Sequence, residues 1–372
     1  MTTYAQRCRT ASNPSPCAKH VQVLFGVVLI FVLGENAIHA QDTDESQRAF
    51  EWERTIEIEE TDDAFVVNPE IRVGKDQLIV ADESQIRIYD LDGSLLMQMG
   101  EPGDQAPGAL QMPMPAVQLS SGTYAVPDAL TGNLSLFEED GTFIDRHTRV
   151  VAPAGTHEVV LLPGTDDVLM VGADQVVRGE ASPLLHQFNP EDGEVKQSFF
   201  PHPIPLGEYG DLLFSLGKIA NVDIRNDRIA ATFRVLPSLF IFDLNGEPIE
   251  RLDYPLRSFR NPDPDQLSSR EEWSGFMLEH SFVSNVFWLN DDVLLLQYKD
   301  FEEFGEDGSV TNWRLAAVNL DGDVLFEWID TPRLFGIHPE TRKMYFQDPD
   351  AEVPNRLKVG QFSEHVRENY SL

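Results

Sequence analysis

The residues of this chain that could do chemistry fall into three groups, none of them a catalytic signature. The first is LRSFRNPDPDQLSSREEWSGFMLEHSFVS at 256–284, which gathers Arg257, Arg260, Arg270, Trp273, Phe276 and His280 in a chain poor in positive charge. A guanidinium fork and an indole ring each bring a large contact area with directed polar groups, which is why arginine and tryptophan anchor binding hot spots. Arg257, Arg260, Trp273 and His280 make a candidate ligand surface with His202 and Tyr209 from another long connection. The competing reading is that the aromatics pack this segment onto the body while the arginines pair with nearby acids.

The second group is acidic. KDFEEFGEDGSVTN at 299–312 carries Glu302, Glu303, Glu306 and Asp307 beside glycines, and such carboxylates offer the oxygen ligands that Ca²⁺ or another divalent cation takes. A solvated loop is the alternative, and no other cofactor is expected. The third group is the histidines. His147, His157, His186, His202, His280, His338 and His365 form no HExxH and no pair at metal-ligand spacing. A GxSxG serine elbow is absent. GEPGDQAPG at 100–108 leads into another strand, not a helix, so it is no phosphate cradle.

Charge narrows the partners. With 28 Lys and Arg against 62 Asp and Glu, the formal net charge is −34, the opposite of the basic footprint that nucleic acid demands. Such a surplus serves as a solvated acidic shell or as cation sites at particular loops. The N-terminus is a separate element. Arg7, Arg9 and Lys19 precede the apolar run Val21–Gly34, and a polar stretch then ends at Ala40, the order of a secretory signal peptide. The run falls short of the ~20 residues of a comfortable membrane span, so a retained signal anchor is the weaker alternative. Both cysteines, Cys8 and Cys17, lie ahead of the run, which leaves the exported chain without thiols. Residues 1–40 are expected to be a signal peptide, 41–49 a flexible mature N-terminus, and 50–372 one folded body. The product is expected to be a monomer with no stable membrane span, periplasmic or extracellular.

The elements that must position these groups repeat. An apolar strand, a tight acidic corner ending in Gly and a second strand recur as IRIYDLDGSLLMQ (86–98), LSLFEEDGTFID (134–145), LHQFNPEDGEVKQSF (185–199), LFIFDLNGEPIERL (239–252) and LAAVNLDGDVLFEW (315–328). Two strand-like runs precede each, so a unit is a four-stranded meander. The corner glycines at 93, 141, 193 and 246 set a period of about 50 residues, that of propeller blades, and the longer gap to Gly322 holds an insertion. A closing set, RLFGIH, KMYFQD and RLKVGQF (333–362), has only three strands, while FEWERTIEIEE (50–60) is a spare strand at the other end. A propeller closes by letting the N-terminal strand complete the last blade, which removes an exposed sheet edge. The expectation is an all-β, six-bladed propeller; a two-sheet sandwich does not predict six units of one internal order. Asp90, Asp92 and Gly93 tempt a calcium reading, but recurrence of Asp-Gly at matching corners marks hairpin turns that need positive φ.

In such a meander the first and third connections share one face, which here is uniformly short. The opposite face receives 100–115, 201–218, 256–284, 299–312 and 347–356, and long loops on a rigid scaffold carry function. The largest, 256–284, is expected to be an insertion whose removal (258–280) leaves the ring folded. The first strands line a central channel, with Arg72, Gln118, His157, Asp223, Asn285 and His338 as inward candidates.

VGKDQLIVADESQIRIYDLDGSLLMQMGEPGDQAPGALQMPMPAVQLSSGTYAVPD, the first two units, resembles the NHL type of propeller repeat and the secreted bacterial six-bladed propellers that carry it. The resemblance implies fold and export. It implies little about function, since that superfamily holds binding proteins, partner scaffolds, and a few lyases and lactonases whose signatures have no counterpart here residue by residue. The expected function is an exported, non-catalytic propeller that binds a protein, small molecule or carbohydrate at its long-loop face and channel mouth. The alternative is a metal-dependent lyase or lactone hydrolase with its site in the channel.

Overall fold

Alternating apolar and polar residues over four to eight positions pair as strands, and the acid-Gly corners turn them back. In the computed structural model the described residues are 49–60, 69–103, 106–151, 158–172, 183–201, 220–261, 273–305, 308–351, 354–370 and 372. Residues 1–37 and 38–372 are separate units, and every described residue lies in the second. The expected signal peptide and nearly all of the 41–49 extension therefore lie outside the described residues.

Strand β1 (Phe50–Glu57) comes first in the chain but belongs to the last blade. Blade 1 is β2 (Glu70–Val73), β3 (Gln77–Asp82), β4 (Gln85–Asp90) and β5 (Leu95–Met99). A small parallel pair, β6 (Glu101–Pro102) and β7 (Ala109–Leu110), leads to blade 2: β8 (Val117–Gln118), β9 (Tyr124–Asp128), β10 (Asn133–Phe137) and β11 (Phe143–His147). Blade 3 is β12 (Glu158–Leu161), β13 (Val168–Val171), β14 (Pro183–Asn189) and β15 (Glu194–Pro201). Blade 4 is β16 (Ala220–Arg225), β17 (Arg228–Phe233), β18 (Leu236–Asp243) and β19 (Pro248–Asp253). Helix α1 (Trp273–Glu279) precedes blade 5: β20 (Ser281–Trp288), β21 (Val293–Gly305), β22 (Gly308–Asn319) and β23 (Val324–Thr331). Blade 6 is β24 (Leu334–Ile337), β25 (Met344–Gln347), β26 (Arg356–Phe362) and β1, and helix α2 (Glu364–Tyr370) follows. The protein is a six-bladed propeller closed by its N-terminal strand, with Phe50 opposite Phe362 and Glu57 opposite Arg356.

The repeat extends to a shared irregularity. In five blades the register between third and fourth strands slips just before the acid-Gly corner, as at Ile88/Tyr89, Leu136/Phe137 and Ile241/Phe242. The corner acids are committed to their own backbone. Asp90 Oδ1 accepts from the N–H groups of Asp92 and Ser94, each at 2.9 Å, and Asp243 Oδ1 accepts from Asn245 and Glu247 at 2.9 and 2.8 Å. At Gly93 the backbone has φ +93°, and a Cβ would meet the Glu57 carbonyl oxygen at 2.4 Å. Glycine there satisfies both the turn and the closing strand.

The core is divided among the blade junctions. Ile71, Leu78 and Tyr89 pack on Leu357 and Val359 between blades 1 and 6, and Leu295, Leu315 and Trp328 pack on Met344 and Phe346 between blades 5 and 6. Helix α2, which the strand pattern did not announce, buries Val366 in the latter cluster and sets Tyr370 against Phe326 with centroids 5.1 Å apart.

Two expectations give way. The acidic stretch 299–312 is not a loop, because β21 and β22 run on and pair as far as Gly305 opposite Gly308. Phe301, 7 % exposed, pins that arm into the core. Nor is 256–284 a detachable ornament. Leu256 and Phe259 join the cluster between blades 4 and 5, while Phe276 and Met277 join the one around Phe233 and Phe282. Removing 258–280 would uncover apolar surface on both blades.

Candidate functional site

The first strand of each blade has one neighbour, so its other edge faces the axis with backbone groups unpaired. Alternation sorts its side chains. Ile71, Val159, Val222 and Val286 turn into the blades and are at most 5 % exposed, while Arg72, Glu158, Asp223 and Asn285 turn to the axis. They line a cavity of about 430 Å³ to which five of the six inner strands contribute, with Met114 and Pro115 closing it on the side of blade 2, Arg225 and Arg342 at one end and Glu70 and Arg333 at the other.

Two channel acids supply what the free strand edges lack. Glu158 Oε2 of blade 3 accepts from Val222 N–H of blade 4 at 3.1 Å. Asp223 Oδ2 of blade 4 accepts from Trp288 N–H of blade 5 at 2.7 Å, and its Oδ1 accepts from Ile224 N–H at 2.9 Å. Each carboxylate thus ties its blade to the next. Arg72 Nη2 lies 3.7 Å from Glu158 Oε1, their side chains 22 % and 25 % exposed. That residual exposure is to a narrow channel, so burial still governs their titration. It pushes Glu158 up to about 7 against the pull of Arg72 and the Val222 N–H. It pushes Asp223 up to about 6 against the N–H groups of Trp288 and Ile224. Burial lowers Arg72 as well, opposed by Glu158 and Asp223.

The ends are held by arginines. Arg342 donates to the Trp288 carbonyl, and burial lowers its pKa, helped by Arg225. Arg225 Nε donates to Asp291 at 2.7 Å on the rim. At the opposite mouth Arg333 Nη2 donates to Glu70 Oε1 at 2.6 Å and Nη1 to the Pro69 carbonyl at 3.3 Å. Four arginines and three acids line this axis in a protein whose formal net charge is −34. Recognition of a polar ligand by hydrogen bonds and charge is what such a lining does best.

Among solved structures, the fold is similar to a member of the DUF4221 family from Bacteroides vulgatus, with TM-score 0.59, 12 % identity, and coverage of 84 % of this chain and 97 % of that one. It is also similar to a candidate exported protein from Bacteroides fragilis, with TM-score 0.58, 10 % identity, and coverage of 85 % and 96 %. A catalytically inactive virginiamycin B lyase from Staphylococcus aureus aligns with TM-score 0.48 and 10 % identity over 83 % of this chain and 99 % of that chain. The first two likenesses concern the fold alone. No protein-family model and no curated protein matches the chain.

Of the inward candidates, Arg72, Asp223 and Asn285 line the channel; His157 lies outside the described residues. Gln118 does not reach the axis: it accepts from Gln77 Nε2 at 3.1 Å and donates to the Gly122 carbonyl at 3.3 Å in a groove between blades 1 and 2. His338 is 5 % exposed and structural. Its Nδ1 accepts from Glu340 and Thr341 N–H, so Nε2 donates to the Lys75 carbonyl at 2.8 Å and ties blade 6 to blade 1. Glu158 was missed, although the phase of Val159 and Leu161 as blade-facing residues points to it instead of His157. Arg333 and Arg342 lie in connections, where no periodicity marks them.

The insertion turns out to hold itself down. Glu327, 1 % exposed, accepts from the N–H groups of Arg257 and Ser258 at 2.9 Å each and from the Tyr298 hydroxyl. The Arg257 side chain is exposed. Arg260 donates to the Leu278 carbonyl at 2.8 Å and pairs with Asp300 at 3.3 Å. His280 is 4 % exposed, donates from Nδ1 to the Phe276 carbonyl at 2.8 Å and stacks on that ring. Trp273 opens α1 but its side chain lies outside the described residues, as do His202 and Tyr209. Of the acidic candidates, Glu302 is exposed and accepts from Asn312 at 2.5 Å; the Glu303 side chain, Glu306 and Asp307 lie outside the described residues. Among the described residues no group of three or more His, Cys, Asp or Glu is arranged to hold a metal ion, and no helix is long and apolar enough to cross a membrane.

Proposed function

We propose that this is an exported, non-catalytic binding propeller whose ligand is a small polar molecule taken up in the central channel. One observation carries the reading: a cavity of about 430 Å³, walled by buried charge and by Asn285, falls in the 300–1,000 Å³ range of small-molecule sites. The acids titrating near neutrality, Glu158 and Asp223, are committed to backbone N–H groups of the next blade. That is a positioning role, and it favours binding over acid–base catalysis. Export is supported by the basic-apolar-polar order of the first forty residues and by the lack of cysteine after Cys17. Likeness to a candidate exported Bacteroides protein agrees with it.

The test is a thermal-shift panel of monosaccharides, uronic acids, amino acids and dicarboxylates on the protein and on Asn285→Trp, which fills the channel. Circular dichroism confirms that the variant folds. At least one compound is expected to raise the Tm by several degrees in the wild type and not in the variant. No stabilisation by any class, or equal stabilisation of both proteins, overturns the reading.

A further inference from the structure

The channel mouth gathers three cations, two of which make no ion pair among the described residues. Arg234 sits in the short corner between β17 and β18, fixed by Val283 N–H donating to its carbonyl at 2.8 Å. Its guanidinium lies 5.5 Å from the centre of the Phe282 ring. Lys299 of β21 stands directly across from Phe282 on one side and Trp313 on the other. Its Nζ is 4.9 Å from the Trp313 ring centre and 5.0 Å from that of Phe301. Arg333, on the link into blade 6, lies 5.2 Å from Trp313 and 4.8 Å from Phe335. The rings hold the cations from beneath but cannot neutralise them.

The carboxylate that acts on all three is Glu70 of β2, and Arg333 already pairs with it at 2.6 Å. Among the described residues neither Arg234 nor Lys299 makes an ion pair. Asp300 follows Lys299 in the strand and so faces the other way, where it meets Arg314 and Arg260. Burial lowers Lys299 to about 7, with Arg234 and Arg333 adding to the effect and Glu70 opposing it. Burial lowers Arg234 to about 10, again against Glu70. Two desolvated like charges side by side are unfavourable to stability, and apolar replacements of similar volume are commonly neutral or better. A chain of net charge −34 has no shortage of acids with which to pair them. An anion from outside would supply the counter-charge that the described residues do not give Arg234 and Lys299.

We propose that Arg234, Lys299 and Arg333, converging from blades 4, 5 and 6 over Glu70, form an oxyanion site at the channel mouth that takes a carboxylate, phosphate or sulfate group. The guanidinium forks match two oxygens at once and the ammonium serves as a point charge. Glu70, Arg333 and Phe335 also line the channel, so the rest of a larger ligand would extend along the axis. That last step rests on the channel-binding reading; the anion site does not.

The test is calorimetric titration of the protein with inorganic phosphate, sulfate, acetate, galacturonate and neutral galactose, with chloride as the ionic-strength control. At least one oxyanion is expected to bind one-to-one, with chloride and galactose failing to replace it at this site. Affinity should fall at least tenfold in Lys299→Met and, separately, in Arg234→Met, and Lys299→Arg should keep it at pH 8.5. Binding at pH 7.5 should take up a proton, read as a dependence of heat on buffer ionisation enthalpy, because the anion favours charged Lys299. Which oxyanion binds decides between a carboxylate and a phosphate or sulfate ligand. No oxyanion binding, or binding that both Met variants retain, overturns the proposal. A ligand lost in Asn285→Trp but kept in both Met variants overturns the anion site while leaving the channel reading standing.

Discussion

The two faces of β21 treat positive charge in opposite ways. On one, Asp300, its side chain 6 % exposed, takes Arg314 at 2.7 Å, Arg260 at 3.3 Å and the Ser281 hydroxyl. On the other, one residue away, Lys299 has Arg234 and Arg333 for neighbours and only a share of Glu70. Both faces gather cations around one strand of blade 5. What separates a structural cation from a candidate binding cation here is whether a carboxylate of the protein meets it. By that criterion Arg260 of the insertion belongs to the structural side, and the mouth of the channel does not.

The largest effect that tests this contrast is on the paired face. Asp300→Ala leaves buried charge on Arg314 and takes the acceptor from the Ser281 O–H, and should cost about 3–5 kcal/mol, measured as a drop in the guanidinium midpoint at unchanged m-value. A loss below about 1 kcal/mol would mean that pairing does not hold this face together and that the contrast between the faces is false.

A middle-sized effect comes from the channel waist. Glu158 holds its proton up to about 7 in the fold but releases it near its ordinary 4.5 when unfolded; Asp223 does the same between 3.8 and about 6. Between those values the folded state binds protons that the unfolded state does not, so stability falls as pH rises from about 4 to 7. Glu158→Gln keeps an acceptor for Val222 N–H but does not titrate, and should flatten that slope by about 1–2 kcal/mol across the window. Urea melts at pH 4.5, 6 and 7.5 read this directly. An unchanged slope would assign the pH dependence to other groups.

Much of the architecture was legible because its causes are local. Period-two alternation, the Asp-Gly corners and the leftover strand at 50–60 needed no knowledge of distant contacts, and the ring, its blade count and its closure all followed. The site was legible only in part. Arg72, Asp223 and Asn285 sit on strands whose phase can be read, and they do line the axis. Gln118 and His338 share that apparent phase, but a short strand and a turn redirect their side chains to backbone and side-chain partners of adjacent blades. The arm at 299–312 looked like a loop because its acids and glycines mask an alternation that only pairing with β22 reveals. Arg234, Lys299 and Arg333 are far apart in sequence, and the lack of an ion pair to Arg234 or Lys299 among the described residues is a property of three-dimensional neighbourhoods that no spacing rule reports.

The smallest effect is the sharpest test of the unpaired face, because its sign depends on whether an anion is present. Lys299 keeps its proton only up to about 7 in the fold but to its ordinary 10.5 when unfolded. Between these values the unfolded state binds the extra proton, so this group makes stability rise with pH. Below pH 7 the charge is present in both states and burial opposes it in the fold. Lys299→Met should therefore stabilise the protein at pH 6 by about 1 kcal/mol, and the gain should fade as pH approaches 10, when the native amine is neutral as well. With a saturating oxyanion at pH 6 the comparison should invert, since bound anion stabilises the wild type in proportion to its differential affinity. Thermal melts of both proteins with and without the oxyanion, at pH 6 and 9.5, give the four values needed. A Met variant less stable than wild type at pH 6 without added anion would show that Lys299 is held by the protein's own charges, and the two faces of β21 would then be alike.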